Sequence, residues 1–312
     1  MKNYARLSLP IAILSVGQPA PAADTVRYLD AHSHLATVMT ADEEIERLRR
    51  TGLDRVIIMS PEPDKLRQLV ARYPGFVIPF LSVARTPEVK GTRLDAAAPL
   101  MAQMLAAGEI CGFGEVPSRV VPENEPSEAA AVDNAYRRAI YAAANASGVP
   151  VNLHVSLSQP ETVAAIARIA TAYPRMKLIL AHAGWDVGPE VLAPLLAAHR
   201  NLYADLSVRL DRPRDASQPG NSIVQPDATL QPAWAALIGR FPDRFLFGLD
   251  IGLAQRPLRI AELAADARAT LGRLPRATEE RVAHGNIERL LKTCRLATRP
   301  RDSGRGVPAP AK

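Results

Sequence analysis

The chain has 312 residues, 47% hydrophobic and 22% charged, which is enough for one large core and excludes a disordered or fibrous chain. Its excess of +6 sits mainly at the ends: residues 1–23 carry Lys2 and Arg6 with no acid, and residues 296–312 carry Arg299, Arg301, Arg305 and Lys312 against Asp302. The body between them is close to neutral and lacks a basic stripe with interleaved aromatics, so nucleic acid is not the expected partner.

In chain order, residues 1–23 read as an export signal. MKNYAR is a basic start, LSLPIAILSV is apolar, and QPAPAA supplies small residues for cleavage after Ala22 or Ala23. No later run approaches the roughly 18 apolar residues needed to span a bilayer. The mature domain is expected over 24–295, in the periplasm or secreted, followed by a disordered basic tail over 296–312.

The first strand, VRYLDAHSHL (26–35), places His32 and His34 two residues apart. An extended chain sends both to one face, with Asp30 on the same side. Short β-prone runs follow: DRVIIMS (54–60), VIPFLSVA (77–84), ICGFGEV (110–116), PVNLHVS (150–156), MKLILAHAG (176–184), NLYADLSVRL (201–210) and RFLFGLD (244–250). Most are almost continuously apolar, as strands buried on both faces should be. Between them lie helical patterns at 41–52, 160–174, 189–201 and 232–242, bounded by glycine or proline. Eight strands alternating with helices predict a (β/α)8 TIM barrel, and the absence of GxGxxG after the first strand weakens the doubly wound alternative. The segments 118–132 and 210–232 are long connections that follow strand C-termini, the functional face of such a barrel. The two cysteines, Cys111 and Cys294, form no CxxC pair and are expected as free, buried thiols, although one disulfide would be tolerated outside the cytoplasm.

Five of the eight strands end in metal-ligand types: His32 and His34, Glu115, His154, His182, and Asp250. Imidazole and carboxylate suit zinc and its divalent neighbours. Each residue alone has a bland explanation, such as a turn cap for Asp250 or an arginine partner for Glu115. Together they are hard to explain without a cation, because buried ionisable groups are costly unless paired or bound to metal. His199 and His284 fall in helical segments and take structural readings.

The ordered motifs DAHSHL, GFGEV, NLHV, LAHAG and FGLD, with the late segment HGNIERLL (284–291), resemble the amidohydrolase superfamily, in particular its amidohydrolase-2 branch, over roughly 26–292. The resemblance implies a metal-dependent TIM-barrel enzyme with His32, His34, His154 and Asp250 as metal ligands. It implies that His182 either binds a second metal or polarises the substrate. Glu115 departs from the carboxylated lysine of many members. It resembles the bridging carboxylate of TatD-type nucleases and some lactonases, or it backs a ligand histidine through a hydrogen bond. The implied cofactor is a divalent metal, zinc by preference, as one or two ions. The implied function is a hydrolase acting with metal-activated water on an ester, lactone or amide carbonyl, with Asp250 and His182 as catalytic groups. The alternatives are a non-oxidative decarboxylase of the aminocarboxymuconate-semialdehyde decarboxylase type, a TatD-like phosphodiester nuclease, and a metal-binding scaffold without enzymatic activity. The expected partner is a small-molecule substrate, with Arg85, Arg119 and Arg209 placed to bind a substrate carboxylate. No membrane span is expected in the mature chain, and a homo-oligomer is compatible with the sequence.

Overall fold

In the computed structural model, residues 25–82, 94–117, 127–213, 221–252 and 255–296 are described. The export signal, the tail beyond Leu296, Arg85 and Arg119 lie outside these residues. Eight parallel strands form one sheet in sequential order: β1 Leu29–His34, β2 Arg55–Ser60, β3 Val77–Leu81, β4 Gly112–Pro117, β5 Pro150–His154, β6 Lys177–Leu180, β7 Leu202–Asp205 and β8 Phe245–Leu246. The sheet closes between β8 and β1 through Ala31 N donating to Phe247 O (2.9 Å), Asp250 N to His32 O (2.6 Å) and His34 N to Ile251 O (2.7 Å). The fold is therefore the TIM barrel that the alternation predicts.

Strand parity sorts the core into two layers. Val56 and Ile58 of β2, Val151 and Leu153 of β5, and Leu178 and Leu180 of β6 belong to the layer that packs on the helices. Leu29, Ile57, Met59, Ile78, Phe80, Ile179, Tyr203 and Leu246 form a second cluster, joined by Ile287 and Leu290 of the last helix. One residue or more from most strands makes this second cluster the barrel interior, closed by that helix.

Two ladders gain an extra residue. β1 uses three steps from Asp30 to Ser33 where β2 uses two, and β4 uses three from Phe113 to Val116 where β5 uses two. Such bulges re-aim side chains. The β1 bulge corrects the simple alternation expected there, because Leu29 and Ala31 already face the interior. Asp30 turns back on the bulge, accepting from His32 N (3.0 Å), Ser33 Oγ (2.6 Å) and Leu249 N (3.0 Å). Burial pushes this carboxyl up to about 7 against those hydrogen bonds. β8 is shorter than the expected 244–250: past Leu246 the chain follows β1 through separate bonds rather than a regular ladder.

The helices follow from local signals. α1 (Ala41–Arg50) starts at Thr40, whose side chain accepts from Glu43 N, carries acids in its first turn and Arg47, Arg49 and Arg50 in its last, and stops before Gly52 (φ 74°). The expected helices at 160–174, 189–201 and 232–242 are found as Pro160–Ala172, Pro189–Ala198 and Pro232–Arg240, each with proline in its first turn. The long connections are not bare loops where they are described. Ser127 caps a short helix, Glu128–Val132, and Val224 bridges Leu230 with Ile223 fully buried beside them. Among the described residues, no helix is long and apolar enough to cross a membrane.

Cys111 and Cys294 correct the expectation of free thiols: they form a disulfide with Cα atoms 5.2 Å apart. Cys111 leads into β4 and Cys294 follows the last helix, and both belong to the interior cluster. What brings them together is the closing helix packing on the barrel floor, a contact across 183 positions of sequence. A cross-link of that span contributes about 2–5 kcal/mol through the unfolded chain.

Glu44 on α1 points inward. It is fully buried, its Oε2 accepts from Ala36 N (2.7 Å), and its Oε1 has no partner. Burial pushes it up to about 7, against the Ala36 N–H and the charge of Lys65. Between about pH 4.5 and 7 the folded chain thus holds a proton that the unfolded chain has lost, so stability falls as pH rises through this window. In urea unfolding of metal-free protein, Glu44→Gln is expected to reduce the loss between pH 4.5 and 8 by about 2–3 kcal/mol. A variant profile parallel to wild type would contradict this.

Candidate metal centre

The inward residues at the strand ends meet in one cluster. His32 and His34 approach with their Nε2 atoms 3.2 Å apart. Gly252 (φ 136°) makes room for His34, since a Cβ there would lie 2.6 Å from His34 Cβ. Glu115, on the β4 bulge, places Oε1 2.6 Å from His154 Nδ1, 3.4 Å from His182 Nε2 and 3.7 Å from His32 Nε2, and Oε2 3.6 Å from His34 Nε2. Asp250 Oδ1 lies 3.7 Å from the Nε2 atoms of both His32 and His34, and Oδ2 lies 3.9 Å from that of His182. All six strand-end residues read from the sequence are thus brought together.

Beyond β6 the chain turns through four successive left-handed residues, His182, Ala183, Gly184 and Trp185 (φ 52°, 54°, 80° and 70°). Backbone strain of this kind persists where surrounding structure fixes it, and it collects at functional sites. The turn sets His182 between Glu115 and Asp250 and lays the Trp185 ring 5.1 Å from His182 and 5.2 Å from His154, as a wall of the cluster.

Asp205, at the end of β7, is a further residue of the site that the strand-end pattern does not single out. It is fully buried and saturated with donors. Oδ2 accepts from His32 Nδ1 (3.0 Å) and Asn152 Nδ2 (2.7 Å), and Oδ1 from His182 N (3.1 Å), Ser207 N (3.1 Å) and the Ser207 hydroxyl. Facing a carboxylate, His32 Nδ1 holds the proton of the neutral ring, so that in this form the Nε2 lone pair is the one turned to the cluster. His182 Nδ1 lies 3.2 Å from Ser207 O, a pure acceptor, so its Nε2 is left free in the same way. The signal available in NLYADLSVRL is parity: Asp205 lies two residues after the inward-facing Tyr203.

The electrostatics ask for a cation. Burial alone would lower the His32 imidazole, but the charge and hydrogen bond of Asp205, with Asp250 and Glu115, lift it to about 10. Burial would raise Asp205, but His32, His182 and Ser207 hold it at about 2. Burial would also raise Glu115, yet the hydrogen bond from His154, the adjacent His182 ring and the charges of His32 and His34 hold it well below the usual carboxylate range. Asp250 is the decisive residue. It is 1% exposed, and neither carboxylate oxygen has a hydrogen-bond partner. A buried carboxylate without donors is costly by several kcal/mol unless a cation meets it.

These residues fit a divalent metal. His32, His34 and Asp250, and separately Glu115, His154 and His182, each offer one ligand atom per residue within 4.8 Å of one another. His32, His182 and Asp205 form a third such group, but Asp205 has its oxygens occupied by donors and acts by holding His32 and His182. His284 lies elsewhere, with Nδ1 3.0 Å from Glu288 Oε2, as its structural reading expects. Arg209 makes no described contact with the cluster. It is buried with its guanidinium 4.7 Å over the Trp234 ring and Nη2 donating to Val187 O (3.0 Å), while Nε and Nη1 have no partner. Burial lowers it to about 10.

Solved structures share this architecture. The chain is similar to a TIM-barrel protein from Bordetella bronchiseptica (17% identity, TM-score 0.60, covering 86% of this chain and 99% of that one). It is similar to a TatD homologue from Escherichia coli (16%, TM-score 0.59, 86% and 98%). It also resembles a zinc-bound amidohydrolase from Burkholderia multivorans (16%, TM-score 0.51, 85% and 99%). At these identities the likeness is one of fold. No curated protein matches the chain by sequence. A family model described as amidohydrolase, however, matches residues 27–293, taking in all eight strands and every residue of the cluster. The chain therefore belongs to the amidohydrolase family of metal-dependent enzymes.

Proposed function

We propose that the enzyme is a two-metal hydrolase of small carbonyl substrates, an ester, lactone or amide, with Glu115 as the bridging ligand. The observation that carries this reading is the place of Glu115, within 3.7 Å of nitrogens from both candidate ligand groups. His32, His34 and Asp250 would hold one ion, and His154 and His182 the other. The imidazole and carboxylate donors favour zinc, the ion bound in the Burkholderia multivorans amidohydrolase. When bound, such a metal supplies Lewis acidity, lowering the pKa of water to about 7.

The chain's own residues would do the proton work. Asp250, with no hydrogen bond on either oxygen, is free to take a proton from water and return it to the leaving group. His182, with its Nδ1 proton on Ser207 O, would turn Nε2 to the second ion, and the positive charge held there would face the developing oxyanion. Trp185 covers one side of the cluster and excludes water there. Arg209, with Nε and Nη1 unpartnered, and Arg85 and Arg119 outside the described residues are the candidates for a substrate carboxylate.

A decarboxylase would use one metal and would leave Glu115 without a ligand's role. A phosphoester is the second reading, because a metal pair also serves in-line displacement and the fold is that of a TatD homologue. The near-neutral body weighs against nucleic acid as that substrate. The Cys111–Cys294 disulfide supports export to an oxidising compartment, the periplasm or beyond. Metal content of the purified chain, measured beside hydrolysis of lactone, ester, amide and phosphoester panels, tests the proposal.

A further inference from the structure

Asp250 has no side-chain hydrogen bond, so no donor aims its carboxylate and the backbone that carries it matters the more. That backbone is unusual: φ is 49°, a left-handed conformation uncommon for a residue with a Cβ. On one side Asp250 N donates to His32 O (2.6 Å). On the other, its carbonyl accepts from Arg256 Nε (2.9 Å), and Arg256 Nη2 donates to the preceding carbonyl of Leu249. The same guanidinium forks onto Asp211, with Nη2 3.0 Å from Oδ1 and Nη1 bonded to Oδ2. Asp211 is itself fixed in the connection after β7, its N donating to Val208 O (3.1 Å) and its carbonyl accepting from Ser222 Oγ (2.6 Å).

One planar group thus ties two consecutive carbonyls beside the metal centre to a carboxylate on the neighbouring connection. We infer that Arg256 is a positioning residue for Asp250, and that Asp211 orients Arg256 for this task. The planar fork is what allows one side chain to serve both carbonyls and both carboxylate oxygens. An ammonium could replace part of this pattern but not the whole. The inference rests on the reading of Asp250 as a metal ligand and proton carrier.

The test uses Co²⁺ alone as the probe, bound to the full mature chain and read by its visible absorption and by competition with a chelating indicator. Arg256→Gln is expected to weaken Co²⁺ binding by about 10- to 100-fold and to change the spectrum. Arg256→Lys should recover part of both effects. Asp211→Asn should shift them in the same direction and decides the matter if Arg256→Gln does not fold. Arg259→Gln, which removes the neighbouring pair with Glu262, controls for local stability and should leave the spectrum unchanged. In turnover of a panel substrate, Arg256→Gln should lower kcat while KM stays within about threefold. Wild-type Co²⁺ affinity and spectrum in Arg256→Gln, with only a lowered Tm, would overturn the inference. If Asp250→Ala also leaves the Co²⁺ spectrum unchanged, the reading of Asp250 itself fails. If Asp250→Ala alters the spectrum and the Arg256 and Asp211 variants do not, only the positioning role fails.

Discussion

Asp250→Asn, fully loaded with metal, is expected to lose about 10³-fold in kcat, within the range for removal of a positioned acid–base group. The amide keeps the size of the side chain and one oxygen for coordination, but it cannot take a proton. The large effect follows from isolation. Asp250 is 1% exposed and has no hydrogen bond on either oxygen, so no neighbouring acid shares the task through a network. Glu115 is engaged by His154 and His182, and Asp205 by five donor contacts. Turnover, metal content and Tm measured on one preparation separate the explanations. Wild-type kcat in a metal-replete variant would remove Asp250 from proton transfer.

Asp205→Ala should be the most disruptive substitution for the fold of the site. It strips the acceptor from His32 Nδ1, Asn152 Nδ2, His182 N and Ser207 N, all buried. Removing one partner of a buried charged network costs about 3–5 kcal/mol. The His32 ring would also lose the group that fixes its tautomer, and such losses weaken metal binding by about 10- to 100-fold. Asp205→Asn should lose less stability than Asp205→Ala, because a carbonyl oxygen remains for some of the donors. Its metal affinity should still fall. Urea unfolding and metal competition on the two variants check this, and a fully stable Asp205→Ala would contradict the assigned role.

The barrel was legible because its strands are short, apolar and evenly spaced. The ligand set was legible because histidine and carboxylate interrupt apolar runs at their C-terminal ends. Asp205 obeys the same parity, but a strand running from 201 to 210 places it in the middle, whereas the folded strand ends on it. Strict alternation also misplaced Asp30: a bulge is a property of two paired strands, and β1 alone does not reveal that β2 takes one step fewer. The disulfide was hidden for a related reason. Cys111 and Cys294 become neighbours only when the last helix closes the floor of a completed barrel. Arg209 lies after β7 as the sequence expected, but its burial against Trp234 depends on how the following helix packs.

The central claim is that Glu115 joins two metal positions. Metal analysis of the purified mature chain and of Glu115→Gln, after removal of loosely bound ions, tests it most directly. The account predicts two zinc-type ions per wild-type chain, fewer in Glu115→Gln, and loss of carbonyl hydrolysis with the missing ion. A single tightly bound ion in both proteins, with equal activity, would contradict it.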